Sequence, residues 1–140
     1  MPHSPRVYRD GLFVLDSGRG TLASVDVQSG SRTDIAAMPG FTRGLCFHDR
    51  YAFVGLSQVR EKRHFDGLPI GDQYGEDGLR CGVSVVDLQS GEVVAFLQFE
   101  AGCEEIFDLQ ILPGMRWPGL LGFEGEQLDS VVTAPPDAWK

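Results

Sequence analysis

Four polar residues of the chain could together hold a small polar or anionic molecule: His3, Arg43 and the adjacent pair Glu104 and Glu105. Arg43 could bind an anion through two parallel hydrogen bonds, and a carboxylate or His3 could act as a base. The alternative is structural, because arginines and glutamates that converge often form ion pairs between neighbouring elements. The residue types alone leave both interpretations open.

Three further residues are candidates for the same ligand-binding role. Asp108 follows the two glutamates closely, and Arg63 and His64 belong to a short basic stretch in the middle of the chain. Clustered acids can hold a divalent cation through carboxylate oxygens. Their spacing does not support such a site here, and the chain contains no Asn to add amide ligands. We therefore expect no metal and no cofactor, and the catalytic residues, if any, stay unknown.

The chain contains three cysteines, Cys46, Cys81 and Cys103. Their odd number and the lack of a C-x-x-C spacing fit neither a disulfide framework nor a structural zinc site. We expect reduced thiols, with Cys46 packed as a small apolar residue between Leu45 and Phe47.

Charge and hydropathy exclude several classes of function. The net charge is -8, and residues 71 to 140 carry 13 acidic and 3 basic side chains. Nucleic acid is an unsuitable partner because binding its backbone requires clustered lysines and arginines. No apolar run approaches the roughly 20 residues of a membrane span, and the N-terminus lacks a signal-peptide core. The expected setting is the cytoplasm, with no membrane partner.

An internal repeat positions these residues. Val25–Gly30 (VDVQSG) recurs as Val86–Gly91 (VDLQSG), 61 residues later, whereas Asp10–Val14 matches Arg50–Val54 at an offset of only 40. The second copy therefore contains an insertion of about 21 residues, within positions 57–80. Aligned this way, His3 matches Arg43, and Arg43 matches Glu104 at an offset of 61.

Each copy consists of short β-branched and aromatic segments separated by Gly, Asp and Ser, which is typical of strands joined by tight turns. A unit of about 40 residues with four antiparallel strands is the pattern of a β-propeller blade. The sequence thus predicts an all-β fold of about two and a half blades in one partial domain, 1–140. The blades would span residues 3–37, 43–99 with the inserted loop 57–80, and 105–134.

Such a fragment could not close into a propeller alone, since closed propellers have about four to eight blades. We expect self-association, or further blades N-terminal to this region, to cover the open blade faces and edges. The alternative fold is a compact β-sandwich in which two hairpins are similar by chance.

Several strings also resemble a family of uncharacterised bacterial proteins with propeller-like repeats, a domain of unknown function. The resemblance covers residues 1–124, and family members are about twice as long, so it implies that this chain corresponds to their C-terminal portion. The family has no established activity to transfer. The strings are Met1–Arg6, Leu15–Gly18, Pro39–Leu45, Tyr51–Ser57, Phe65–Pro69, Arg80–Val83 and Glu104–Asp108.

The function predicted from these features is a propeller module that binds a small polar ligand or a protein partner at the mouth of the central channel. The alternative is a lactonase-like or other hydrolase acting in that channel, which rests on fold analogy. The sequence contains no Gly-x-Ser-x-Gly or phosphate-binding glycine motif, and whether the protein is an enzyme stays open.

Overall fold

The computed structural model describes residues 2–58, 67–75 and 78–116. Within them the chain is all-β, with eight strands, one short α-helix and one turn of 3₁₀-helix at Ser17–Arg19. The elements are β1 (Pro2–Tyr8), β2 (Gly11–Asp16), β3 (Thr21–Val25), β4 (Arg32–Ala37), β5 (Phe41–His48), β6 (Tyr51–Ser57), α1 (Pro69–Tyr74), β7 (Gly82–Asp87) and β8 (Glu92–Gln98).

The strands form two four-stranded antiparallel sheets, in the orders β1-β2-β3-β4 and β5-β6-β7-β8. This confirms the all-β prediction of four-stranded antiparallel units. The two sheets share their register: Leu12 pairs with Val25 in the first, and Ala52 pairs with Val86 in the second. These positions differ by 40 and 61 residues, the two offsets seen in the sequence.

Both copies of the V-D-x-Q-S-G string form the same turn. The Asp26 and Asp87 carboxylates accept hydrogen bonds from backbone N–H groups two residues ahead, and their carbonyls accept from the N–H groups of Gly30 and Gly91. Gly30 and Gly91 have φ values of +71° and +75°, which glycine adopts without strain. The string recurs because it encodes the turn between the last two strands of each sheet.

The main core lies between the two sheets. Residues on the facing sides are fully or almost fully buried, and Tyr8 stacks on Phe47 with ring centroids 4.5 Å apart where β1 lies against β5. Burying this apolar surface is the main stabilising contribution to the fold. The core consists of Leu15, Leu22, Ala36, Met38, Leu45, Ala52, Val54, Leu56 and Val86.

The insertion in the second sheet contains a helix that the sequence did not predict. α1 begins at Pro69, a favoured first helical position, and its Ile70 packs with Phe41 and Leu79 in a second, smaller apolar cluster. The side chain of Leu68 also lies against Gly18, in the 3₁₀ turn between β2 and β3. The described part of the insertion therefore packs against this turn of the first sheet and against Phe41 at the start of β5.

Residues 99–116 form no strand ladder among the described residues. The sequence predicted the first strand of a third blade at 106–112. Its partner strands were predicted at 120–124 and 128–133, which lie outside the described residues, so that part of the predicted third blade stays a prediction. Neither helical segment in the described part of the chain has the length and apolar character needed to cross a membrane.

Candidate functional site

Three segments converge beside the first residues of β5. The backbone N–H of Gly44 donates a hydrogen bond of 2.9 Å to Ser4 Oγ of β1. On its other side, a methyl group built on Gly44 would lie 2.8 Å from the Asp108 Cα. Both Ser4 and Gly44 have positive φ, and both strands shift register at these points. Ser17 Oγ donates a hydrogen bond to the Thr42 carbonyl, and its counterpart 40 positions later, Ser57, donates to the Ile106 carbonyl. Thr42 and Ile106 are therefore equivalent, and residues 44 and 108, two positions further, are equivalent as well.

The Arg43 guanidinium stacks on the ring of Phe107, with 4.5 Å between the guanidinium carbon and the ring centroid. Arg43 is exposed, and Phe107 is 63% exposed. Among the described residues no carboxylate lies within ion-pair distance of Arg43. Arg6, Arg32 and Arg50, in contrast, each pair with an aspartate. The ring of Phe107 therefore holds the Arg43 guanidinium in place, and the N–H edges of the guanidinium are available to a ligand.

His3 lies close enough to Arg43 to be affected by its charge. Burial, and then the positive charge of Arg43, lower the pKa of His3 below its ordinary value of 6.5. The imidazole is consequently neutral near pH 7 and can donate or accept a hydrogen bond.

Asp108 is also near the site, but its carboxylate faces Arg6. Arg6 Nη2 donates to both Asp108 oxygens, at 3.2 and 3.3 Å. Asp108 consequently anchors the 107–109 segment to β1. Burial, and then the charge of Asp108, raise the pKa of Cys46, so little of this thiol is ionised near neutral pH.

Glu104 and Glu105 are held at the end of β6. The Glu104 carbonyl accepts a hydrogen bond of 2.9 Å from the backbone N–H of Gln58. Two residues further, the Ile106 N–H donates to Ser57 Oγ at 2.9 Å. The residue against Arg43 is Phe107, three positions after the Glu104 that the 61-residue offset aligned with it. The sequence signal for this alignment is weak: at an offset of 64, Leu45 matches Leu109 but Gly44 falls on Asp108.

Two predicted binding residues, Arg63 and His64, lie outside the described residues. In residues 2–58, 67–75 and 78–116, no three His, Cys, Asp or Glu side chains form a group that could hold a metal ion. A shallow open cavity of about 250 Å³ lies further along β1 and β5, between these strands and residues 110–113. It is lined by Arg6, Val7, Tyr8, Leu45, Cys46, Phe47, His48, Gln110, Ile111 and Pro113.

These features define an all-β domain of two four-stranded antiparallel sheets, with an exposed arginine stacked on an aromatic ring where three segments converge. In sequence, the family described as "Domain of unknown function (DUF4915)" matches residues 1–121, and the chain belongs to this family. No curated protein and no solved structure gives a significant match.

Proposed function

We propose that this domain is a propeller module that binds a small anionic ligand, a carboxylate or a phosphate, at the Arg43–Phe107 pair. The observation that carries the proposal is the exposed Arg43 guanidinium, which is fixed by stacking and has no carboxylate partner among the described residues. Two further exposed arginines of the described residues stack on rings: Arg50, which pairs with Asp87, lies over Tyr51, and Arg9 lies over Tyr8 beyond the opposite end of β1.

Stacking supports binding because it restricts the guanidinium before a ligand arrives. A free arginine loses rotamer entropy when it binds, and a preorganised one loses less. With its face against Phe107, the guanidinium can still direct its N–H edge at two oxygens of a carboxylate. His3, whose pKa is lowered in part by the charge of Arg43, is the candidate for a further hydrogen bond to the ligand.

The test is a titration of the purified domain with citrate and, separately, with inorganic phosphate, followed by NMR chemical shifts. We expect saturable shifts at Arg43 and Phe107 with at least one of these anions. Arg43→Gln should weaken this binding by about tenfold to a hundredfold, the loss expected for hydrogen bonds to a charged group.

Arg9→Gln is the matched control, since it removes an exposed, stacked arginine far from the site. It should leave the titration unchanged. Equal affinity in the wild-type domain and in Arg43→Gln, or shifts that never saturate with either anion, would refute the proposal.

The second part of the proposal concerns partners: further blades, from a second copy or from additional chain, cover the outer faces of the two sheets. Leu97 is 59% exposed on the outer face of the second sheet and pairs across the register with Val83. On the first sheet Val7 is 77% exposed and pairs with the half-buried Leu12. Apolar rows on both outer faces support stacking of blades on either side.

Sedimentation of the purified chain tests the self-association part. We expect an assembly larger than a monomer, with Leu97→Lys shifting it towards the monomer. Val27→Lys is the control, because Val27 is 69% exposed in a turn rather than on a sheet face. A clean monomer for the unmodified chain contradicts self-association.

The proposed setting is the cytoplasm, where free cysteines stay reduced.

A further inference from the structure

The fold brings together two cysteines that are 22 positions apart in the chain. Cys81 immediately precedes β7, and Cys103 follows the second sheet; their sulfur atoms lie 3.8 Å apart. Both thiols are free. Sequence reasoning treated the three cysteines as unrelated, because a spacing of 22 matches no local motif.

The backbone around both cysteines is held in place. The Cys81 carbonyl accepts a hydrogen bond of 2.9 Å from the Phe99 N–H, at the end of the β7–β8 ladder. The Cys103 thiol donates to the Glu105 carbonyl at 3.4 Å. The Gln58 N–H donates to the Glu104 carbonyl, and Ser57 Oγ both donates to the Ile106 carbonyl and accepts from the Ile106 N–H, so residues 104–106 are attached to the end of β6. The two sulfurs are therefore neighbours because the main chain places them together.

We propose that Cys81 and Cys103 form a reversible intramolecular disulfide when the protein meets a hydroperoxide. The site is a modification site separate from the Arg43–Phe107 pair. A shift of less than 2 Å brings the sulfurs from contact to the bond length of about 2.05 Å.

The two thiols differ in accessibility, which sets the order of the steps. Cys103 is half-buried, whereas Cys81 is 1% exposed. The Cys103 thiolate attacks one peroxide oxygen, so that an S–O bond forms, the O–O bond breaks and water leaves after protonation. The Cys81 sulfur then attacks the resulting sulfenic acid, an S–S bond forms and a second water leaves. Two thiols and one hydrogen peroxide thus give one disulfide and two waters.

Burial, the neighbouring Cys103 and the nearby glutamates raise the pKa of Cys81 to about 11. A thiol of this kind is rarely ionised at neutral pH, so Cys81 does not start the reaction; when it attacks the sulfenic acid, its proton passes to the departing hydroxyl group, which leaves as water. The disulfide would tie the segment that carries Phe107 and Asp108 to the start of β7.

The experiment treats the reduced chain with one equivalent of hydrogen peroxide and counts free thiols under denaturing conditions. The count should fall from three to one, and non-reducing peptide mass spectrometry should identify a Cys81–Cys103 cross-link. A reductant should restore three thiols. The oxidised chain should also melt at a higher temperature, because the link constrains the unfolded chain.

Cys103→Ser removes the accessible thiol and should abolish both the cross-link and the rise in melting temperature. Cys46→Ser is the matched control and should retain both. Retention of all three thiols, cross-links that involve Cys46, or disulfides between chains would overturn the proposal. Because the readout needs no ligand, it is independent of anion binding.

Discussion

Gly44 lies at the point where β1, β5 and the 107–109 segment meet, and its replacement by alanine tests this packing. Its φ of +83° is one that residues with a Cβ rarely adopt. A Cβ at this position would also lie 2.8 Å from Asp108 Cα, 2.9 Å from the Asp108 carbonyl carbon and 2.9 Å from the Leu109 nitrogen. All three are backbone atoms, so no side-chain rotation relieves the contact.

The expected loss of stability has two parts. A left-handed conformation costs an alanine about 1–2 kcal/mol relative to glycine. Forcing a methyl group against packed backbone costs about 1–3 kcal/mol more. Gly44→Ala should therefore lower the free energy of unfolding by about 2–5 kcal/mol. Equilibrium unfolding in urea measures this loss.

Gly30→Ala separates the two parts. Gly30 has a φ of +71°, but no heavy atom lies within 4 Å of a Cβ built there. This variant should lose only the conformational part, about 1–2 kcal/mol. Equal losses in the two variants would mean that the 108–109 backbone does not lie against β5, and would refute the convergence of the three segments.

Three further predictions test other parts of the fold, each by urea unfolding. Ser57→Ala should cost about 1–3 kcal/mol, because it leaves the buried Ile106 N–H without its acceptor. Ile70→Ala should cost about 2–5 kcal/mol, because Ile70 of the inserted helix α1 is fully buried against Phe41 and Leu79; a smaller loss would mean that α1 packs loosely. Burial alone would raise the pKa of Asp16, but the hydrogen bond from Arg32 lowers it overall. Its stabilisation is thus present above the unfolded pKa of about 3.9 and lost as pH falls further, so the penalty of Asp16→Asn should be full near about pH 6 and shrink as the pH falls below about 3.9.

The sheets could be predicted because their determinants are local in sequence. The strings around Asp26 and Asp87 encode identical turns, and the offsets of 40 and 61 reproduce the observed register of both sheets. The short helix at Pro69 was missed because six residues are too few to show a helical period. The pairing of Cys81 with Cys103 could not be read from spacing, since it depends on how the chain leaves β8 and returns to β6.

The alignment at an offset of 61 differs from the structure by three residues in the 107–109 segment, and this difference changes which side chain lies against Arg43. The 61-residue offset aligned Glu104 with Arg43 and so suggested an acid, a base and an arginine in one place. In the structure the residue there is Phe107, because Asp108 takes the position equivalent to Gly44. The structure shows an exposed cation held against an aromatic ring at this point, an arrangement suited to binding an anion. This is why anion binding is the function proposed for the site.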